Sequence, residues 1–266
     1  MRTIWAMLRA SAISAASYRI GMLVSVLGLF ASIVPLYFVS TALQGVMASK
    51  IQAQGGQYFA FVLVGTVVLG FVSQAVNSLP NAVQGSVGSG MLDTLLSVPA
   101  SPVTVFTGLT AYGYVWTFAR SVLTIVVGVV LGAQIEWSQV LPALLILGLI
   151  VLSYLPFGII AAALVVAFRT DMEVRRGVLL VTTLLGGVYY PTEIIPSWIR
   201  SIADVVPLTY GLRALRRVLL DGGTLWQAGS DLATLVGMTL VLAAVSLAAL
   251  SAAFQYARRT GTLAQY

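Results

Sequence analysis

Six apolar runs, most of them long enough to cross a bilayer, alternate with short polar connections along the chain. Ile20 to Ser49 contains no charged residue. About twenty apolar residues cover the hydrocarbon core, so a first span is predicted near 20–42. Gln44 to Gly56 follows as a polar loop carrying Lys50. A second uncharged span is predicted near 57–79. Residues 80–104 then break the pattern with Pro80, Pro99 and Pro102 and with Gly85, Gly88 and Gly90. Such punctuation predicts a loop holding one short helix, 90–97.

A third span is predicted near 105–132, with the single charge Arg120, and a fourth near 139–168, bent at Pro156 where a backbone donor is missing. The charged stretch Arg169 to Arg176 separates the fourth span from a fifth, near 177–192, whose sixteen uncharged residues are marginal for crossing. The sixth span, 232–257, is clean, with Ser230 and Asp231 as its helix caps.

The segment 193–223 is too charged for a lipid-facing span and reads as two short helices. In the first, Trp198, Ile202 and Val205 share a face, and Arg200 and Asp204 are spaced to pair at i,i+4. In the second, Leu208, Leu212, Leu215 and Leu219 form a stripe, with Arg213, Arg216 and Arg217 off it. Pro207 suits that helix's first turn, and Gly222–Gly223 its end. Both helices are expected to dip, half-buried, into one face of the membrane. The N-terminal residues 1–19, with three arginines beside Ile4 and Trp5, suggest a short surface helix or a partly ordered tail and not a cleaved leader.

Composition strengthens the membrane reading. Hydrophobic residues make up 59% of the 266 residues and charged ones 8%, against about 25% charged in soluble domains. The net charge of +6 is scattered singly or in pairs between apolar runs, which argues against a nucleic-acid partner. Basic residues are retained on the cytoplasmic side of membrane spans. With the N-terminus inside, the cytoplasmic segments hold eight Lys/Arg against five outside, so both termini are expected in the cytoplasm of a bacterial inner (cell) membrane.

Residue chemistry removes whole function classes. There is no Cys and no His, so thiol catalysis, imidazole acid–base chemistry and the usual zinc sites are not expected. No acid falls inside a predicted span, which disfavours a proton-coupled carrier. A phosphate-binding loop needs a lysine in the G-x-x-x-x-G-K-[ST] pattern. The only lysine, Lys50, sits between Ser49 and Ile51. Any ATP-driven work therefore requires a separate ATPase, which would carry the ATP and magnesium, and this chain is expected to hold no cofactor or metal and to be no enzyme.

Two segments carry a resemblance. Residues 88–102, GSGMLDTLLSVPASP, and 187–222, GVYYPTEIIPSWIRSIADVVPLTYGLRALRRVLLDG, fall between the proper spans. Together with six spans they resemble permease subunits of type-2 ABC exporters, especially those similar to daunorubicin-resistance exporters, over essentially the whole chain. The resemblance implies an all-α polytopic protein with six transmembrane helices, a cytoplasmic coupling helix and an extracellular re-entrant helix pair, the chain 1–266 forming one transmembrane domain.

It further implies that helix 90–97 docks on a nucleotide-binding subunit through Gly90, Met91, Leu92, Asp93, Leu95, Leu96 and Pro99. Packing of the leucines against neighbouring spans is the alternative. Arg169, Asp171, Glu173, Arg175 and Arg176 would form a second ATPase contact or an ordinary solvated loop. Pro191, Pro196, Trp198, Pro207, Tyr210 and Arg213 would belong to a re-entrant outer gate or an interfacial structural element. Gln74, Asn77 and Arg120 are pathway candidates. A mid-span charge such as Arg120 costs about 2.5–3.5 kcal/mol, so it should face a protein interface or a wet cavity, snorkel, or meet backbone carbonyls.

The expected function is the permease of an ATP-driven exporter of an amphipathic substrate such as a hydrophobic drug, lipid or glycolipid. Its expected partners are an ABC ATPase subunit, a second permease copy or paralogue, and membrane lipids. A permease for lipid-linked polysaccharide, or an assembly factor without transport, is the alternative.

Overall fold

A computed structural model describes residues 19–88, 102–168 and 172–260. The regular structure there is all helical: α1 Arg19–Met47, α2 Tyr58–Gly88, α3 Pro102–Val130, α4 Val140–Phe168, α5 Met172–Leu185, α6 Ser197–Ala203, α7 Pro207–Leu219 and α8 Gly229–Thr260. The expected helix 90–97, the N-terminal surface helix and the residues Arg169 and Asp171 lie outside the described residues.

Among the described residues, five helices are long and apolar enough to cross a membrane: Leu27–Lys50, Tyr58–Ser86, Thr107–Val130, Trp137–Val165 and Gly229–Ala253. The expected fifth span, 177–192, holds the 14-residue helix α5, Met172–Leu185, which is shorter than the other five. At 1.5 Å per residue the helix alone reaches about 21 Å, but the chain runs from Arg175, bonded to Asn81 late in α2, to Gly187, which shares Arg216 with Phe61 early in α2, and so passes from one end of the bundle to the other. α5 starts earlier than expected because Glu173, Arg175 and Arg176 join its first turns and do not form a loop. It stops at Gly186–Gly187, where Gly187 adopts φ 76°.

A second difference concerns Pro80. Its composition suggested a loop, yet α2 runs through it to Gly88. One proline removes a single backbone donor, and a helix packed among others re-satisfies the freed carbonyl. α1 and α4 likewise continue through Pro35 and Pro156.

Helix α2 is the hub. Its residues Val64, Val68, Val72 and Val76 enter one buried cluster with Ile146, Ile150 and Tyr154 of α4, Leu208, Leu212 and Leu215 of α7, and Leu235 of α8. A second cluster joins α2 to α1 and α3 through Leu29, Ile33, Phe59 and Leu63. α3 approaches α2 closely because Gly113 leaves room for the Gln74 amide and Gly128 for the Leu63 side chain. The Tyr154 hydroxyl meets Thr182 Oγ1 at 3.1 Å, which ties α5 to α4 in the interior.

The connections α1–α2, α3–α4 and α7–α8 gather at one end with α6. Gln57 Nε2 donates to the Gly132 carbonyl at 2.7 Å, while its Oε1 accepts from the Gln134 amide. Gln44 does the same for Gly56 and Tyr58. The Glu136 amide donates to the Leu219 carbonyl at 2.9 Å, linking this end to α7. The opposite end carries the C-terminal ends of α2 and α4 and the starts of α3 and α5.

The pair α6–α7 departs from the half-buried expectation in opposite directions. Trp198, Ile202 and Val205 do share a face of α6, but it points outward, at 75%, 54% and 71% exposure. α7 is enclosed nearly all round, and only Tyr210, Arg213 and Arg217 stay partly open. The helix α8 begins at Gly229, so Ser230 and Asp231 lie in its first turn and are not its caps.

Candidate functional site: a polar cleft and an arginine-locked end

A cleft of about 520 Å³ opens between α2 and α3, on the stretches of both helices nearest in sequence to the 89–101 connection. Gln74, Asn77, Ser78 and Asn81 of α2 and Thr110 and Tyr112 of α3 supply its polar wall. On α2 they recur at helical spacing, so they form one stripe along the helix. The sequence-predicted Gln74 and Asn77 are thus brought together. Arg120 is not: it lies exposed on α3 and does not line the cleft.

Arg175 of α5 reaches this wall. Its Nη1 donates to Asn81 Oδ1 at 2.6 Å and to Asn77 Oδ1 at 3.3 Å. Because guanidinium only donates, both amide oxygens must face it. Asn77 Nδ2 in turn donates to the Ser73 carbonyl at 2.8 Å. Arg175 is 8% exposed, whereas its neighbours Glu173 and Arg176 are exposed. The charged segment is therefore split: Arg175 binds α2 inside the fold, and the other two face outward. Gly90, Met91, Leu92, Asp93, Leu95, Leu96, Pro99, Arg169 and Asp171 lie outside the described residues.

At the other end, α7 is pinned by Arg216, which is 2% exposed. Its Nη1 donates to the Gly187 carbonyl at 2.7 Å, Nη2 to Val188 at 2.8 Å and to Phe61 at 2.9 Å, and Nε to Phe61 at 3.1 Å. The guanidinium carbon lies 3.4 Å from the Phe61 ring centroid. The charge is thus neutralised by carbonyl dipoles and an aromatic face, not by a carboxylate. α7 is not among the five spans. Burial pushes the Arg216 pKa down, to about 9, against the fields of Tyr58 and Glu193. It remains charged at neutral pH. Gly65 makes room for this arrangement: a Cβ there would collide with the Val188 carbonyl and sit 2.6 Å from Arg216 Nη2.

The expected gate residues divide by environment. Pro191 and Pro207 are buried, Pro196 and Trp198 are exposed, and Tyr210 is half-buried. Tyr210 donates to the Asp204 carbonyl at 3.1 Å. Arg213 stacks over the Tyr210 ring and pairs with Asp231 at 3.5 Å. The expected Arg200–Asp204 pairing is replaced by donation from Arg200 to the carbonyls of Glu193 and Ile195, at 3.3 Å for the latter.

Arg216 and Asn81 escaped the sequence reading. Arg216 sits one residue beyond Leu215 and one turn beyond Leu212, at the edge of the leucine stripe, so its neighbours signalled burial. Its own charge argued against it. Asn81, four residues after Asn77, shares that residue's face of α2.

The family model for the ABC-2 type transporter matches residues 2–220. The chain is also 24% identical over 115 residues to the linearmycin resistance permease protein LnrN of Bacillus subtilis (strain 168), an alignment covering 43% of this chain. That alignment spans 29% of the relative's length. Five membrane-length helices and a family match over most of the chain identify a multi-pass membrane protein that belongs to the ABC-2 type transporter family, as a membrane subunit and not the ATPase.

Proposed function

We propose that this chain is the permease subunit of an ATP-driven exporter, moving an amphipathic substrate out of a bacterial cytoplasm. The observation that carries the reading is the cleft between α2 and α3: a hydrogen-bonding hollow of about 520 Å³ in helices otherwise built for lipid. Ligand sites have this character, mostly apolar with a few placed polar groups. With both termini in the cytoplasm, the cleft faces the cytoplasmic half of the membrane, and α6 and α7 lie toward the outside. Substrate then loads from the inside, and the end pinned by Arg216 forms the outer closure.

The energy comes from a partner. This chain's only lysine lies outside any phosphate-binding loop, so ATP and magnesium bind to a separate ABC ATPase subunit. Two permeases, identical or paralogous, pair around the pathway. The segment 90–97 docks on the ATPase, and the start of α5 forms a second contact. ATP-driven closure of the ATPases shifts the permeases between inward- and outward-open states. The relative's name, a resistance permease, supports efflux of a harmful compound.

Asp93→Arg and Leu95→Asp place a reversed or new charge in the docking segment. Each should abolish co-purification of the ATPase subunit and transport, with the amount of chain inserted in the membrane unchanged. ATPase retained at the wild-type ratio in both variants would overturn the assignment.

A further inference from the structure

We propose that an apolar groove between α3 and α4 is a binding site for one acyl chain of a bilayer phospholipid. The site is separate from the α2–α3 cleft, and it depends neither on the direction of transport nor on the cargo.

Helices α3 and α4 each pack against α2 and leave between them a groove of about 230 Å³. Its floor is Val64 and Val68 of α2 with Leu215 and Leu219 of α7, all buried. Val122 of α3 and Leu144 of α4 stand on opposite walls and are exposed, so the groove opens outward. Apart from Ser121 and the indole of Trp137, its described lining is hydrocarbon.

Outward here means toward lipid, because α3 and α4 are membrane spans. An empty groove forfeits the dispersion contacts of its lining. Lipid tails are as apolar as leucine, so retention of a chain rests on packing and not on a hydrophobic drive. The groove supplies that packing from four helices at once. The exposed faces of α1 and α8, at Phe38 and Leu240 for example, offer a chain contact on one side.

The dimensions select the occupant. Along α4 the lining runs from Trp137 to Leu147, about 15 Å at 1.5 Å per residue. That is half of a hydrocarbon core of about 30 Å, the depth of one leaflet. Trp137 is 63% exposed and marks the end of the groove at headgroup level, where indole rings concentrate. The chain enters there, and its tail reaches the midplane near Leu147. A helix of a second copy, about 10–12 Å across, displaces several times the groove's volume over the same length and could rest only on the rim. Through Leu215 and Leu219 the acyl chain also supports the enclosed helix α7.

The test uses the full chain in vesicles of phosphatidylethanolamine and phosphatidylglycerol, doped with phosphatidylcholine carrying a diazirine midway along one acyl chain. After illumination, labelled segments are mapped by mass spectrometry. Segments 118–126 and 140–147 should be labelled at least about five-fold more densely than the open faces around Phe38 and Leu240. Leu144→Trp should lower labelling of 118–126 at least about three-fold, and Val122→Trp that of 140–147. Labelling around Leu240 should stay unchanged in both, which shows that each variant is folded and inserted. Val122→Cys, in a chain with no cysteine of its own, should give no disulfide-linked dimer on oxidation.

Groove labelling no denser than that of α1 and α8, or unaltered by both tryptophan variants, would reduce the lipid to ordinary surrounding contact and overturn the site. Labelling of the groove by a single-chain maltoside with the same diazirine, and not by the phospholipid, would overturn the phospholipid as occupant. Efficient disulfide formation by Val122→Cys would assign the groove to a second copy instead.

Discussion

Three arginines in this chain carry the same charge into three environments. Arg216 is enclosed and gives four hydrogen bonds to three main-chain carbonyls. Arg213 is partly open and pairs with Asp231 at 3.5 Å. Arg175 is buried against two amide oxygens. Arg216→Leu removes the donors and leaves the carbonyls of Gly187 and Val188 unpaired in a packed site, while the Phe61 carbonyl keeps its helical bond. Each orphaned buried group costs about 1–3 kcal/mol, so the variant should lose at least ~2 kcal/mol of stability. Arg213→Leu should cost about 1 kcal/mol or less, as for other partly exposed pairs. Thermal unfolding in detergent, compared between the two variants, checks the ordering. Arg216→Lys should not rescue, because an ammonium lacks the planar fork that spans three carbonyls. Sequence spacing placed Gln74 and Asn77 on one span. It did not place Arg216, since a charge next to a leucine stripe is read as solvated until the carbonyls that surround it are known.

At the scale of elements, the short helix α5 and the outward face of α6 shape one end of the molecule. α5 ends at Leu185, and the chain continues through 186–196 into α6 and then into the enclosed α7. The outward Trp198 lies at the same end as the exposed Trp137 and Trp226. Indole rings favour the membrane–water interface, where an apolar body and a polar N–H are both accommodated. Single-tryptophan variants keeping Trp198 or Trp226 should therefore be quenched more strongly by lipids spin-labelled near the headgroup than by lipids labelled deep in the chain. Equal quenching at both depths would place α6 elsewhere. The existence and type of the long helices were legible in the charge-free runs, and their ends were less so. Pro80 and the glycines after it signalled a loop, but helix packing carried α2 to Gly88. The start of α5 was read as a charged loop because Arg175 has its partners on α2, at the far side of the sequence.

On the scale of the whole molecule, two polar features occupy opposite ends of an apolar bundle: the cleft of α2 and α3, and the carbonyl cage around Arg216. In the proposed orientation the first meets the cytoplasm and the second the exterior. Because the chain has no cysteine, its sidedness can be measured directly. Ala53→Cys should be labelled by a membrane-impermeant maleimide added to intact cells, and Ala264→Cys should not. Labelling of Ala264→Cys from outside would reverse the orientation, and with it the side on which the cleft loads.

The sequence by itself determined that the chain is helical, lives in a bilayer and lacks a phosphate-binding lysine. These are properties of composition and of the lengths of uncharged runs, which need no knowledge of neighbours. Tertiary structure alone decided where α5 begins and ends, that α7 is enclosed, and that Arg216 and Arg175 lie inside while Arg120 lies outside. Burial of a polar residue depends on whether distant backbone or amide groups stand ready to pair with it. Such partners, Phe61 for Arg216 and Asn77 and Asn81 for Arg175, come from segments that only the packed helices bring together.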